Sequence, residues 1–156
     1  MGKLDRGEVD AIILAVSGLK RINLENRITE IFTMKWMLPA IGQGAIGIET
    51  RTGDHDTLSL VAHINDPVTH GCLLAERSLL TELEGNCQIP LAGYCINKVE
   101  ELHLQSALCD PEGNSLIKYE TRAQTHNAVS IGKESAEWLL NNGGDLILQK
   151  SQAAIK

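Results

Sequence analysis

Aromatic side chains are scarce in this chain, at 3% of 156 residues. Basic residues are outnumbered too, 14 Lys and Arg against 20 Asp and Glu, for a formal net charge of −6. A nucleic-acid binder usually carries a basic stripe, often interleaved with stacking aromatics, so no nucleic-acid partner is expected. Long apolar runs are also missing. The longest, Ala11 to Val16, is six residues, where a membrane span needs ~20. No membrane partner is therefore expected. The opening residues, MGKLDRGEVD, lack the apolar stretch of a secretory signal, so the expected location is cytoplasmic, or an organelle. None of the four cysteines (Cys72, Cys87, Cys95, Cys109) forms a C-x-x-C pair, and the five histidines share no metal-like spacing. Neither a disulfide framework nor a metal site is expected.

What is present is ordinary globular usage, 43% hydrophobic and 22% charged, enough for a core without staples. Residues 10–16 (DAIILAV) read as a short strand buried on both faces. Leu24, Ile28 and Ile31 recur at helical spacing within residues 17–32. Residues 46–51 read as a second strand. From about residue 53 the pattern becomes α-α-β-β-β-α. Leu58, Val61, Ala62 and Ile64 mark a first helix. Asp66-Pro67 opens a second, with Asp as N-cap and Pro in the first turn, running to about Glu84 with Leu73, Leu80 and Leu83 on one side. Three strands are expected over 89–96, 101–108 and 115–121. In the middle one, Leu102, Leu104 and Leu108 alternate against Glu101, His103 and Gln105. Asp110-Pro111-Glu112-Gly113 is turn chemistry. A last helix spans about 127–142, stopped by Gly143-Gly144, with a short helical tail.

The fold class is thus α/β overall. It ends in an α+β domain with a three-stranded antiparallel sheet and helices on one face, preceded by residues expected to belong partway into a larger fold. Residues 1–51 cannot close a core alone, because buried parallel strands need neighbours.

Gly42-Gln43-Gly44-Ala45-Ile46-Gly47 matches G-x-G-x-x-G. A dinucleotide fingerprint needs a strand before it and a helix after it; here Pro39 precedes and a β-like segment follows. A glycine turn that brings backbone close to something fits better. Cys87 follows Gly85 in the connection between helix and sheet. That placement leaves two readings open, a loop cysteine that packs and an accessible, reactive thiol. Arg21 and Arg51 stand near the ends of the two strand-like pieces, either as solvated charges or as forks for carboxylates. Glu76-Arg77 reads as an exposed charged face.

Four stretches carry a more specific signal: DAIILAVSGLKR (10–21), LPAIGQGAIGIETR (38–51), AERSLLTELEGNCQIPLAGY (75–94) and the PEGN turn (111–114). Together they resemble the porphobilinogen deaminase (hydroxymethylbilane synthase) family, in its C-terminal part. The resemblance implies the ends of two larger α/β domains before the α+β domain: 1–37 the end of the second domain, 38–52 the return strand and hinge to the first, and 53–156 the C-terminal, cofactor-tethering domain. The resemblance implies a transferase that joins four porphobilinogen molecules head to tail, releasing ammonia at each addition, on the way to haem and related tetrapyrroles. It implies a dipyrromethane primer bound covalently as a thioether to Cys87. Arg21, Ala15, Ser17, Gly18, Gln43 and Gly44 are the implied primer-binding positions, and Arg51 is implied to have a structural pairing role. The family's Gly-Gly-Cys is Gly85-Asn86-Cys87 here. The family's catalytic aspartate belongs to an N-terminal half that this chain does not carry, so no catalytic residue is expected here. The partners implied are porphobilinogen and that missing half. The other reading of such a chain is an inactive fragment acting as a binding or interaction module.

Overall fold

A computed structural model of the chain describes residues 1–83 and 89–154, in two units, Met1–Trp36 and Met37–Lys156. From Met1 to Gly71 no residue is buried, and the first that is buried is Cys72.

The first unit holds two short helices, α1 (Gly2–Asp5) and α2 (Val16–Arg21), and a 3-10 turn at Glu25–Arg27. The expected strand over 10–16 is not formed. A strand exists by pairing, and residues 11–15 have no strand partner among the described residues, leaving Ile13 and Leu14 exposed. The helix expected through 17–32 stops early. Asn23 takes a left-handed φ of 54°, the conformation that ends helices.

The second unit opens with a segment that also lacks the expected strand. Ile46 is 90% exposed and residues 45–51 are unpaired. Next comes α3 (His55–Ala62), capped by Asp54, whose carboxylate accepts the Thr57 N–H. No residue of α3 is buried, so the apolar face read at Leu58, Val61, Ala62 and Ile64 does not pack here.

The core begins with α4 (Pro67–Glu82). Asp66 caps it as expected, its Oδ1 accepting N–H from Val68 at 2.9 Å and Thr69 at 3.0 Å. Its buried stripe is Cys72, Ala75, Glu76, Leu79 and Leu83, with Leu73 and Leu80 only half-buried. The i, i+3, i+4, i+7 spacing is therefore centred one position away from the expected face. Three antiparallel strands follow, β1 (Leu91–Lys98), β2 (Glu101–Cys109) and β3 (Leu116–Gln124), in the order β1-β2-β3. Leu102, Leu104 and Leu108 of central β2 are at most 1% exposed, so the period-of-two reading holds. The opposing layer is α4 with α5 (Ala128–Leu139). They approach so closely at Gly132 that a Cβ there would lie 2.6 Å from Ser78 Cβ. The chain breaks helix at Gly143, φ +101°, within Leu140–Gly144, and resumes as α6 (Asp145–Ala154). The tail is thus a ten-residue helix, and its buried Ile147 joins Leu79, Leu108 and Leu139 in the core.

Two turns carry testable energetics. The β1–β2 connection is a two-residue hairpin, Lys98 pairing with Glu101, with φ +50° at Val99 and +67° at Glu100. Such turns favour Asn-Gly, and a β-branched residue at positive φ is strained. Val99 is 97% exposed, so it gains nothing from packing. Val99→Asn with Glu100→Gly should therefore stabilise the protein by about 1–2 kcal/mol in urea unfolding. The second turn hangs on Asp110, which is 3% exposed. Its Oδ1 accepts the Glu112 N–H at 2.8 Å and its Oδ2 accepts Lys150 Nζ at 3.1 Å, tying the β2–β3 turn to α6. Lys150 and the Glu112 amide hold the Asp110 pKa below its ordinary value. A lowered carboxylate pKa stabilises above the ordinary range, about pH 4, and that stability is lost as pH falls through the folded-state value. Asp110→Asn should thus lower Tm at neutral pH, and the gap to wild type should close on acidification. A pH-independent gap would contradict this.

Candidate functional site

The glycine-rich segment sits on the free edge of β1. In an edge strand alternate N–H groups point away from the paired neighbour. Gly93 N–H donates to the Pro39 carbonyl at 3.0 Å, and Ala40 bridges Ala92. Ile41 lies over Gly93, where an added Cβ would collide with its Cδ1, and it packs on the core with Leu79 and Leu91. The chain then turns through residues 41–44, with Gln43 N–H donating to the Ala40 carbonyl at 3.1 Å. Gly42 and Gly44 take φ of +75° and +86°, which only glycine adopts at little cost. The G-x-G-x-x-G stretch is thus a tight turn, with no helix after it.

Glu76 holds this turn in place. It was read above as part of an exposed face; Arg77 is exposed, but Glu76 is only 5% exposed. Its Oε2 accepts the Gly42 N–H and its Oε1 the Cys95 N–H, each at 2.8 Å. A buried carboxylate must be hydrogen-bonded to be tolerated. Burial pushes the Glu76 pKa up, while the two amides pull it down less strongly. The signal for its burial lies in the stripe of α4, since position 76 falls between Cys72, Ala75, Leu79 and Leu83.

Gln43 and Gly44, at the tip, are exposed. The other polar positions lie in the first unit, on or beside α2. Ala15 is its N-cap, and Ser17, Gly18 and Arg21 follow, all exposed. Ser17 and Arg21 are four apart, hence on one helix face. Within the first unit, Arg21 offers a guanidinium and Ser17 a hydroxyl; within the second, Gln43 offers a carboxamide and Gly44 a backbone N–H, and groups of each kind can donate to carboxylates. Arg51 pairs with Asp54 at 3.1 Å but is 90% exposed, a geometry that contributes little stability.

Cys87, Gly85 and Asn86 lie outside the described residues. Their flanks are fixed: Leu83 at the end of α4 is 3% exposed, and the Pro90 carbonyl before β1 accepts the Cys109 N–H at 3.0 Å. The other three cysteines are free. Burial raises the pKa of both Cys72 and Cys95, so neither thiol ionises readily. Cys109 is half-buried and its thiol donates to the Asp110 carbonyl at 3.3 Å. Among the described residues no group of His, Cys, Asp and Glu is placed to hold a metal ion.

Two family models match the chain in order. Residues 1–59 match the model described as porphobilinogen deaminase, dipyromethane cofactor binding domain, and residues 71–141 match porphobilinogen deaminase, C-terminal domain.

The thiolate is the reactive form of cysteine. With iodoacetamide at mildly alkaline pH, Cys72 and Cys95 should stay unmodified in the folded protein and react only after denaturation. Rapid labelling of either under native conditions would contradict their described burial.

Proposed function

The chain belongs to the porphobilinogen deaminase family, and on that premise we propose that it is the C-terminal part of a hydroxymethylbilane synthase, with Cys87 as the tether of its dipyrromethane primer. The observation that carries this reading is the pair of in-order family matches, joined by the run LEGNCQIP at 83–90 that places a cysteine between α4 and β1.

The residues present fit a dipyrromethane. Its pyrroles carry acetate and propionate groups, which call for cationic and N–H donors. Arg21 supplies a fork for one carboxylate, Ser17 a hydroxyl on the same face, and Ala15 and Gly18 the adjoining backbone. In the second unit, Gln43 and the Gly44 N–H are donors of the same kind. When bound, the primer supplies the free pyrrole carbon from which the chain of rings grows. Cys87 would hold the primer as a thioether, its sulfur taking the methylene carbon from which porphobilinogen's amine leaves as ammonia, with the thiol proton released. Anchoring keeps the growing chain at high effective concentration beside the site.

The acid–base carboxylate of the reaction would come from the family's N-terminal half. The exposed apolar side chains of the first unit, Val9, Ile13, Leu14, Phe32 and Trp36 among them, support a further protein surface packing there. Substrate and compartment follow the same reading: porphobilinogen, in the cytoplasm or an organelle.

Two measurements test the proposal. The purified 156-residue chain should form no hydroxymethylbilane from porphobilinogen; turnover above blank would contradict the division of labour. Combined with the N-terminal half, the wild-type chain should gain a dipyrromethane mass that maps to Cys87. Cys87→Ser should gain none, because a serine hydroxyl is scarcely ionised near neutral pH without a base. An adduct on Cys72, Cys95 or Cys109 would overturn the tether assignment.

A further inference from the structure

We infer that Glu76 is a positioning residue for the primer site, locking the Gln43–Gly44 turn to the helix that leads to the tether. The inference rests on the functional reading above and adds a residue to it.

The argument is geometric. Residues 39–42 lie along β1 like a short extra strand, through the Pro39 carbonyl, the Ala40–Ala92 bridge and Ile41 over Gly93. These contacts end at Ile41. Beyond it Gly42 has positive φ and its N–H faces α4, where Glu76 Oε2 accepts it at 2.8 Å. The other Glu76 oxygen takes the Cys95 N–H at 2.8 Å, so a single side chain spans turn, strand and helix. α4 runs on through Leu83, and Cys87 follows four positions later. Helix, strand edge and turn therefore form one body, with Gln43 exposed on the turn.

A carboxylate is specifically required. Glutamine offers one carbonyl oxygen and would set its NH2 against one of the two N–H groups. Aspartate keeps the charge but is a methylene shorter, and cannot reach both amides. In hydrogen exchange on the 156-residue chain, Glu76→Gln should speed exchange across residues 39–44 at least tenfold and leave 102–108 protected. Should Glu76→Gln not fold, Glu76→Asp gives the same reading. Unchanged exchange at 39–44 in a folded variant would overturn the proposal.

A purely structural role is separated by coupling. With the N-terminal half supplied, Glu76→Gln should still take the primer on Cys87 yet lose at least tenfold in kcat/KM. Gln43→Ala should lose a similar factor, and the double variant should be little worse than either. Losses that multiply would mean that Glu76 acts independently of the turn, and would overturn the inference. Absence of the primer from the wild-type protein would instead fail the tether reading, a distinguishable result.

Discussion

A single buried carboxylate organises the second unit. Glu76 lies within the apolar stripe of α4, and its position there is tolerable only because two backbone amides meet it. A charge removed from water without partners costs several kcal/mol. Once those amides are required, the geometry around them is constrained. Cys95 must turn its N–H out of the sheet edge, and Gly42 must bring a positive-φ backbone against the helix. A Cβ at Gly93 would push aside the Cδ1 end of Ile41, which lies across it.

The hydrophobic layer beneath supplies the rigidity that makes this constraint hold. Leu79, Leu108 and Leu139 are fully buried where α4, β2 and α5 meet. Removing such a side chain costs about 2–5 kcal/mol. The close approach at Gly132 lets α4 and α5 present a continuous surface to the sheet. Cys72 and Cys95 belong to the same layer, which accounts for thiols that stay protonated. The first unit contrasts with this: it has two short helices, no buried residue and many exposed apolar side chains.

The local signals were legible where physics is local. The Asp66 cap, the alternation of Leu102 and Leu104, the Asp110 turn and the break at Gly143 each depend on neighbours in sequence. Pairing does not. Residues 10–16 and 46–51 have strand-like composition, yet a strand needs a partner, and none is present for either among the described residues. The role of Glu76 depends on Gly42 and Cys95, 34 residues before it and 19 after, so charge alone made it read as surface. Its spacing from Cys72 and Leu79 was the overlooked clue. For the proposed site, the run around Cys87 and the glycine turn at 42–44 were visible as motifs, while the Glu76 hydrogen bonds to Gly42 and Cys95 were visible only in three dimensions.

The most direct test of this account follows the amides of Gly42 and Cys95 and the Glu76 carboxyl carbon together by NMR as pH is varied. Because one carboxylate binds both amides and burial raises its pKa, all three signals should move in one transition, with its midpoint above the ordinary glutamate range. Independent transitions, or a midpoint at or below the ordinary value, would contradict the account.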